Sequence, residues 1–275
     1  MCVKLGWGND MKKEKMILLC SLFMVVFLLT SCTTPAKKPE TNLVPAPQTG
    51  GEAASGNDTN KYKRGHNIPG KLYWAGSAQD KKIALTFDDG PENVWTPKIL
   101  AVLKEKHVKA TFFVIGQQAQ AYPDMLREID AEGHIIGNHT LDHADLTKLD
   151  TLAVTKEIAE CAAVINNIIG KTPKLVRPPF GFHNDIVDSV IYSRDNMIIL
   201  WSLDTDDWQG LDSKTVQDRV LPKMKNGFIV LQHDGVNPHL GGSLEALPVM
   251  IDELKKQGYT FVTIPELVEI QPYES

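Results

Sequence analysis

The sequence predicts an α/β fold built on a mainly parallel sheet, preceded by a targeting segment and a polar tether. Two observations predict the sheet. From Leu72 onward, short apolar runs of strand length alternate with longer stretches of helical period, as in parallel sheets covered by helices. Residues of unusual chemistry also follow the apolar runs rather than interrupt them. That is where α/β proteins collect reacting groups, at the C-terminal ends of strands. Seven strands over about 200 residues suit either a closed barrel or an open sheet.

The first strand, 83–87, is the end of an alternating apolar run from Lys82 to Phe87, and Asp88-Asp89-Gly90-Pro91 stops it. Successive strand side chains point to opposite faces, so the two carboxylates are expected to do different jobs. Side by side they repel unless a cation or a proton intervenes. An Asp-Gly pair alone would read as a solvated turn; what lies downstream decides otherwise. Strands follow at 110–115 and 134–138, the latter leading into His139 and His143, and at 175–177, closed by Arg177. The fifth, 197–203, precedes Asp204, Asp206, Asp207 and Trp208. The sixth, 228–232, precedes His233-Asp234, and the seventh is 259–263. Helices are predicted between them at 96–106, 117–132, 151–169, 185–194, 213–225 and 243–257. Five strand ends therefore aim polar groups at one rim, which marks a site.

Ahead of this domain, Lys12-Lys13-Glu14-Lys15 is a mainly basic head, followed by an apolar run from Met16 to Leu29. That run is short for a membrane span and right for a signal-peptide core. Residues 1–10 contain Trp7 and Asp10 and suit no signal peptide, so Met11 is the expected start. Leu29-Thr30-Ser31-Cys32 resembles the lipobox of bacterial lipoproteins. It implies a signal peptide over 11–31, cleavage before Cys32, and lipid on that cysteine. The product would be anchored to the bacterial cell membrane outside the cytoplasm, since two acyl chains hold stably. Residues 32–70 form a Pro-, Thr- and Gly-rich linker, too polar to bury a core; the catalytic domain is expected over 71–270. Of the four cysteines, Cys2 and Cys20 are discarded, Cys32 carries lipid and Cys161 is alone, so the mature chain has no disulfide framework. From residue 32 on, 25 basic groups face 32 acidic ones, which argues against a nucleic-acid partner. No phosphate loop or G-x-S-x-G elbow occurs, which disfavours a nucleotide cofactor and a serine esterase.

His139 and His143 stand four apart, and one helical turn would put both imidazoles on one face. Such a pair is often incidental; it gains weight because Asp89 is predicted at the same rim. Two histidines and one carboxylate make a three-ligand site with an open position, the pattern of hydrolytic zinc. The same set accepts cobalt, manganese or nickel.

In order along the chain, Thr86-Phe87-Asp88-Asp89-Gly90, His139-Thr140-Leu141-Asp142-His143, Arg177-Pro178-Pro179-Phe180-Gly181, Asp207-Trp208 and Leu231-Gln232-His233 resemble five motifs of the polysaccharide deacetylases. This is carbohydrate esterase family 4, which includes chitooligosaccharide and peptidoglycan N-acetylglucosamine deacetylases. The likeness covers about 71–268. It implies a distorted (β/α) barrel, a divalent metal (zinc first) held by Asp89, His139 and His143, and an N-acetylglucosamine polymer as partner. It also implies Asp88 as general base, kept ionised and aimed by Arg177, and His233 as general acid, oriented by Asp207. The Phe180 N–H would stabilise the oxyanion, and Trp208 and Leu231 would enclose the acetyl methyl. A monomer is expected. Amide cleavage needs this division of labour on chemical grounds, because amides are poor electrophiles and amine anions leave only when protonated. Acetylxylan O-deacetylation and a non-catalytic glycan-binding lipoprotein remain as alternatives. Outside the motifs, His107 is expected in solvent, His134 in a structural role and His66 at the linker junction. Asp142 is expected to cap or solvate, and Asp204 and Asp206 are undecided. Contact of His183 or His239 with substrate is the less favoured reading.

Overall fold

A computed structural model describes residues 67–275. The start at Met11, the signal peptide, the lipidation of Cys32 and all but the end of the 32–70 linker lie outside the described residues. Among those described, nine strands form one all-parallel sheet. They are β1 (Leu72–Tyr73), β2 (Lys82–Asp88), β3 (Thr111–Val114), β4 (Ile135–Asn138), β5 (Leu175–Val176), β6 (Met197–Ile199), β7 (Leu203–Asp204), β8 (Ile229–His233) and β9 (Thr260–Phe261). The order is β1-β6-β5-β4-β3-β2-β8-β7, with β9 paired to the start of β2. Helices α1 (Thr96–Glu105), α2 (Gly116–Ala121), α3 (Pro123–Ala131), α4 (Thr151–Ile169), α5 (Asp185–Ser193), α6 (Ser213–Val220), α7 (Gly241–Lys256) and α8 (Ile264–Val268) lie between or after them.

The sheet curls into a partial barrel, and its seam corrects the seven-strand expectation. The predicted fifth strand is two strands at opposite ends of the sheet order: β6 pairs with β5 and β1, and β7 pairs with β8. Residues 200–202 cross the seam, tied by Leu200 N–H to Tyr73 O at 2.9 Å and by Ser202 N–H to Ile229 O at 3.0 Å. The predicted helix 117–132 breaks at Tyr122 (φ −129°, ψ 57°), because Pro123 disfavours helical geometry in the residue before it. The predicted helix 213–225 ends as α6 at Val220, followed by a 3-10 turn containing Pro222.

Alternation along β2 sorts the core. Ile83, Leu85 and Phe87 face outward and pack with Leu100 and Leu103 of α1 and with Met250 and Leu254 of α7. Ala84 faces inward with Phe113, Ile199 and Ile229, where Ile264 and Leu267 of α8 fill the barrel's lower end. Burial of these side chains contributes about 25 cal/mol per Å² of apolar surface. Thr86 and Asp88 continue the inward row, so the strand leads from an apolar floor to an ionisable rim. Cys161 is buried in the core, as expected, with its Sγ 3.6 Å from Val114 O.

Candidate metal centre and active site

In-register pairing brings the strand ends level: Asp88 lies opposite Phe113 of β3 and His233 of β8, and Asn138 lies opposite Val114 and Val176. Asp88 and Asp89 do not diverge as strand alternation predicts. Asp89 falls just beyond β2 with a left-handed backbone (φ 77°), and both carboxylates reach His139. Its Nε2 lies 3.7 Å from Asp88 Oδ2 and 3.4 Å from Asp89 Oδ1. What separates their tasks is partners. Asp88 Oδ1 accepts from Arg177 Nη1 at 2.7 Å, whereas Asp89 Oδ1 is buried with no hydrogen-bond partner.

Glycine at two positions permits this crowding. A Cβ on Gly90 would stand 2.3 Å from an oxygen of Asp234, and one on Gly235 would stand 2.3 Å from Asp89 Cβ. Asp234 is buried, and that burial raises its pKa to about 8 despite a 2.7 Å hydrogen bond from Thr96 Oγ1.

His139 and His143 are not on a helix, which corrects the one-turn expectation. They sit in a loop in which Thr140 (φ 69°) and His143 (φ 66°) are left-handed. Side chains hold that shape. Asn138 Oδ1 accepts Thr140 N–H at 2.8 Å, and Thr140 Oγ1 accepts His143 N–H at 3.0 Å. Glu157 Oε2, from α4, accepts the N–H groups of Leu141 and Asp142 at 2.9 and 3.2 Å. Asp142 is exposed, as a solvated residue should be, and its amide joins that of Leu141 on Glu157.

The loop brings His143 Nε2 to 3.3 Å from Asp89 Oδ1. One donor atom from each of Asp89, His139 and His143 lies within 4.8 Å of the others. Chemistry fits a divalent cation here. His139 Nδ1 donates to Arg177 O at 2.6 Å, which leaves the Nε2 lone pair facing Asp89, the outer-sphere arrangement usual for ligand histidines. Burial and the neighbouring His139 lower His143 to about 4, so it is neutral as a ligand must be. For His139 burial works downward, but Asp88 and Asp89 outweigh it and raise the pKa. Burial works upward on Asp89, yet the imidazoles of His139, His233 and His143 bring it below the usual carboxylate range. Asp88 and Asp89 thus draw positive charge into the pocket, as a proton on His139 or as a cation in its place.

Arg177 is fully buried. Besides Asp88 it donates to Thr86 Oγ1 at 2.9 Å, Ile199 O at 3.0 Å and Leu200 O at 3.3 Å, over the Phe113 ring at 4.0 Å. His233 faces Asp88 across the β2–β8 pair. Its Nδ1 lies 2.7 Å from Asp207 Oδ1, and Asp207 Oδ2 accepts His233 N–H at 3.0 Å and Ser243 Oγ at 2.9 Å. Burial lowers the His233 pKa, but Asp207, with smaller help from Asp89 and Asp88, raises it to about 10. The imidazolium form is therefore the one present at neutral pH.

The remaining predicted residues divide. The Phe180 ring lies 4.7 Å from that of His143. Leu231 is buried two residues before His233, on the same face of β8, and Trp208 is half-buried beside Asp207. Asp206 pairs with Arg219, and Asp204 Oδ1 accepts Asp206 N–H at 2.8 Å. His183 is buried with Nδ1 2.6 Å from Asp188 Oδ1. His239 and His107 are exposed, and His134 is buried with Nδ1 accepting Ala110 N–H at 3.1 Å. Glu157, Ser243 and Thr96 were not singled out from sequence. Each lies on a helix, where a lone polar residue reads as solvated.

Comparison with known proteins gives a match to the polysaccharide deacetylase family model over residues 75–194. A peptidoglycan-N-acetylglucosamine deacetylase of Bacillus cereus is 39% identical over 199 residues, covering 71% of each chain. The crystal structure of a peptidoglycan N-acetylglucosamine deacetylase bound to an N-hydroxybenzamide carrying a naphthalenyl group superposes with a TM-score of 0.73 at 37% identity, covering 74% of this chain and 95% of that one. A family pseudoenzyme from Bacillus anthracis superposes at 0.68 with 28% identity, covering 73% and 69%.

Proposed function

The chain belongs to the polysaccharide deacetylase family, metal-dependent hydrolases of N-acetyl groups on glycans, and we propose that it deacetylates N-acetylglucosamine in peptidoglycan, with chitin-like chains second. One observation carries this reading. An unpartnered buried carboxylate oxygen faces two imidazole nitrogens, flanked by a carboxylate–arginine pair and an imidazole–carboxylate pair. Asp89, His139 and His143 would hold the cation. When bound, it supplies Lewis-acid polarisation of the amide carbonyl and lowers the pKa of water to ~7.

The other steps belong to the chain. Asp88 takes the proton from the attacking water, and Arg177 fixes the direction of its free oxygen. The Phe180 amide offers a hydrogen bond to the oxyanion, a contribution of ~3 kcal/mol for donors of this kind. His233 gives its proton to the departing amine nitrogen while Asp207 steadies the ring. Leu231 and Trp208 form the slot for the acetyl methyl. Zinc suits the two-histidine, one-carboxylate set. The lipobox-like Leu29-Thr30-Ser31-Cys32 and the polar stretch behind it support a lipid-anchored enzyme working beside the wall, outside the cytoplasm.

The test is metal analysis of the purified protein, followed by acetate release from peptidoglycan, chitooligosaccharides and acetylxylan before and after chelation. Turnover of the amide substrates, lost on chelation and restored by zinc, is expected. Activity on acetylxylan alone would overturn the amidase reading. Absence of turnover on all three with metal bound would make this a glycan-binding relative of the pseudoenzyme.

A further inference from the structure

The turn after Arg177 has features that ligand placement alone does not require. Phe180 is left-handed at φ 61°, a region that non-glycine residues avoid. Gly181 follows at φ 69°, so close to Trp201 that a Cβ there would stand 2.8 Å from the indole ring. Both flanking rings remain in solvent: Phe180 is 47% exposed and Phe182 is 51% exposed. The Phe180 ring stands edge-on to His143 at 4.7 Å, and the Phe182 ring lies 5.6 Å beyond it. Ile186, on the first turn of α5, is also exposed. Two exposed rings, tilted 42° to one another, therefore adjoin a metal-ligand candidate. Clustered apolar exposure of this kind marks a surface that something covers.

The occupant follows from the neighbouring chemistry. A polymer with one N-acetyl group at the cation site must continue along the rim. Each pyranose ring has a face of axial C–H groups that packs well on an aromatic ring. The 5.6 Å step between the two rings is comparable to one sugar along a β-1,4-linked chain. We propose that Phe182 extends Phe180 into a two-ring platform that binds the sugar next to the one being deacetylated, giving a preference for chains over single sugars. This rests on the glycan reading above, and Phe182 lies outside the five motifs that carried it.

The experiment compares the unmutated protein, Phe182→Ala and Phe182→Tyr on N-acetylglucosamine oligomers of increasing length. The ratio of kcat/KM for the longest to the shortest should fall about threefold to tenfold in Phe182→Ala, the scale of one lost ring contact. Phe182→Tyr should restore it. An unchanged ratio overturns the platform. Calorimetric binding of the longest oligomer separates this idea from the deacetylase reading. If the unmutated protein shows no turnover, Phe182-dependent binding still supports the platform, and Phe182-independent or absent binding removes it.

Discussion

The carbonyl oxygen of Arg177 accepts the Nδ1–H of His139 at 2.6 Å. One residue thereby sets the tautomer of a metal-ligand candidate through its backbone while its guanidinium fixes Asp88 at 2.7 Å. The proposed base and the proposed ligand are therefore aligned by a common part, and disturbing either end should register at the other.

Asp88→Asn should lower acetate release by about 10²–10⁴-fold, the usual contribution of a general base. Bound metal should stay unchanged, because Asp89, His139 and His143 keep their places. Arg177→Met leaves Asp88 buried without its cationic partner, which typically costs roughly 3–5 kcal/mol of stability. Asp88→Asn in turn leaves the buried Arg177 without its counter-charge, so the urea midpoint should fall in both variants, and an Asp88→Asn enzyme that still turns over would remove Asp88 from the role of base.

Asp207→Asn should move the alkaline limb of the kcat–pH profile to lower pH. His233 can serve as the proposed acid only while protonated, and Asp207 is the main group that raises its pKa to about 10 against the effect of burial. A bound cation offsets the contribution of Asp89, so the limb in the metal-loaded enzyme should lie below that value. A limb that stays put in the variant assigns the acid elsewhere.

Glu157→Leu should weaken metal binding by about 10–100-fold, as loss of outer-sphere support commonly does. It strips the acceptor from two amides of the loop that carries both histidines. Glu157→Gln keeps an acceptor oxygen and should recover most of the affinity. Calorimetric titration with zinc measures both, and equal affinity in all three proteins would show that the loop holds itself.

Gln232→Met should stabilise the protein by ~1–3 kcal/mol. Both amide atoms of Gln232 are buried without partners. Phe87, Trp95, Ile99 and Leu244 line the space beside it, together with His233 and Ser243, which are already engaged with Asp207. A urea midpoint that rises at constant m-value is the expected result.

Stability should decline as pH falls from 6.5 toward 4 in part through His134. Burial, with help from Lys109, lowers its pKa from 6.5 to about 4 in the fold. The unfolded chain therefore binds the proton first, and the stabilisation present above 6.5 is lost on acidification, up to ~3 kcal/mol. His134→Gln cannot titrate, so its stability should vary less across that window; an identical slope would shift the effect to other groups.

The strand ends were legible because ionisable residues there terminate an apolar run, as at Asp88 and His233. The shape of the 139–143 loop was not. Its left-handed residues depend on Asn138 and on Glu157, which lies fourteen positions past His143 and reads on its own as a solvated helix residue. The division of 197–203 was hidden for another reason: the run is apolar but for Ser202, and only the identity of its neighbours shows where pairing changes sides. The break at Tyr122 was marked by Pro123, and a continuous apolar period hid it.

Residues 200–202 carry the chain from one end of the sheet order to the other, and Arg177 reaches the two carbonyls, Ile199 and Leu200, at the start of that crossing. A descendant released from catalysis would be free to shed Asp89 or His143, whereas loss of the arginine would strip two carbonyls of the crossing of their donor. Among distant kin the arginine should therefore outlast the reaction, and a working enzyme needs the ligand trio together with Asp88 and His233.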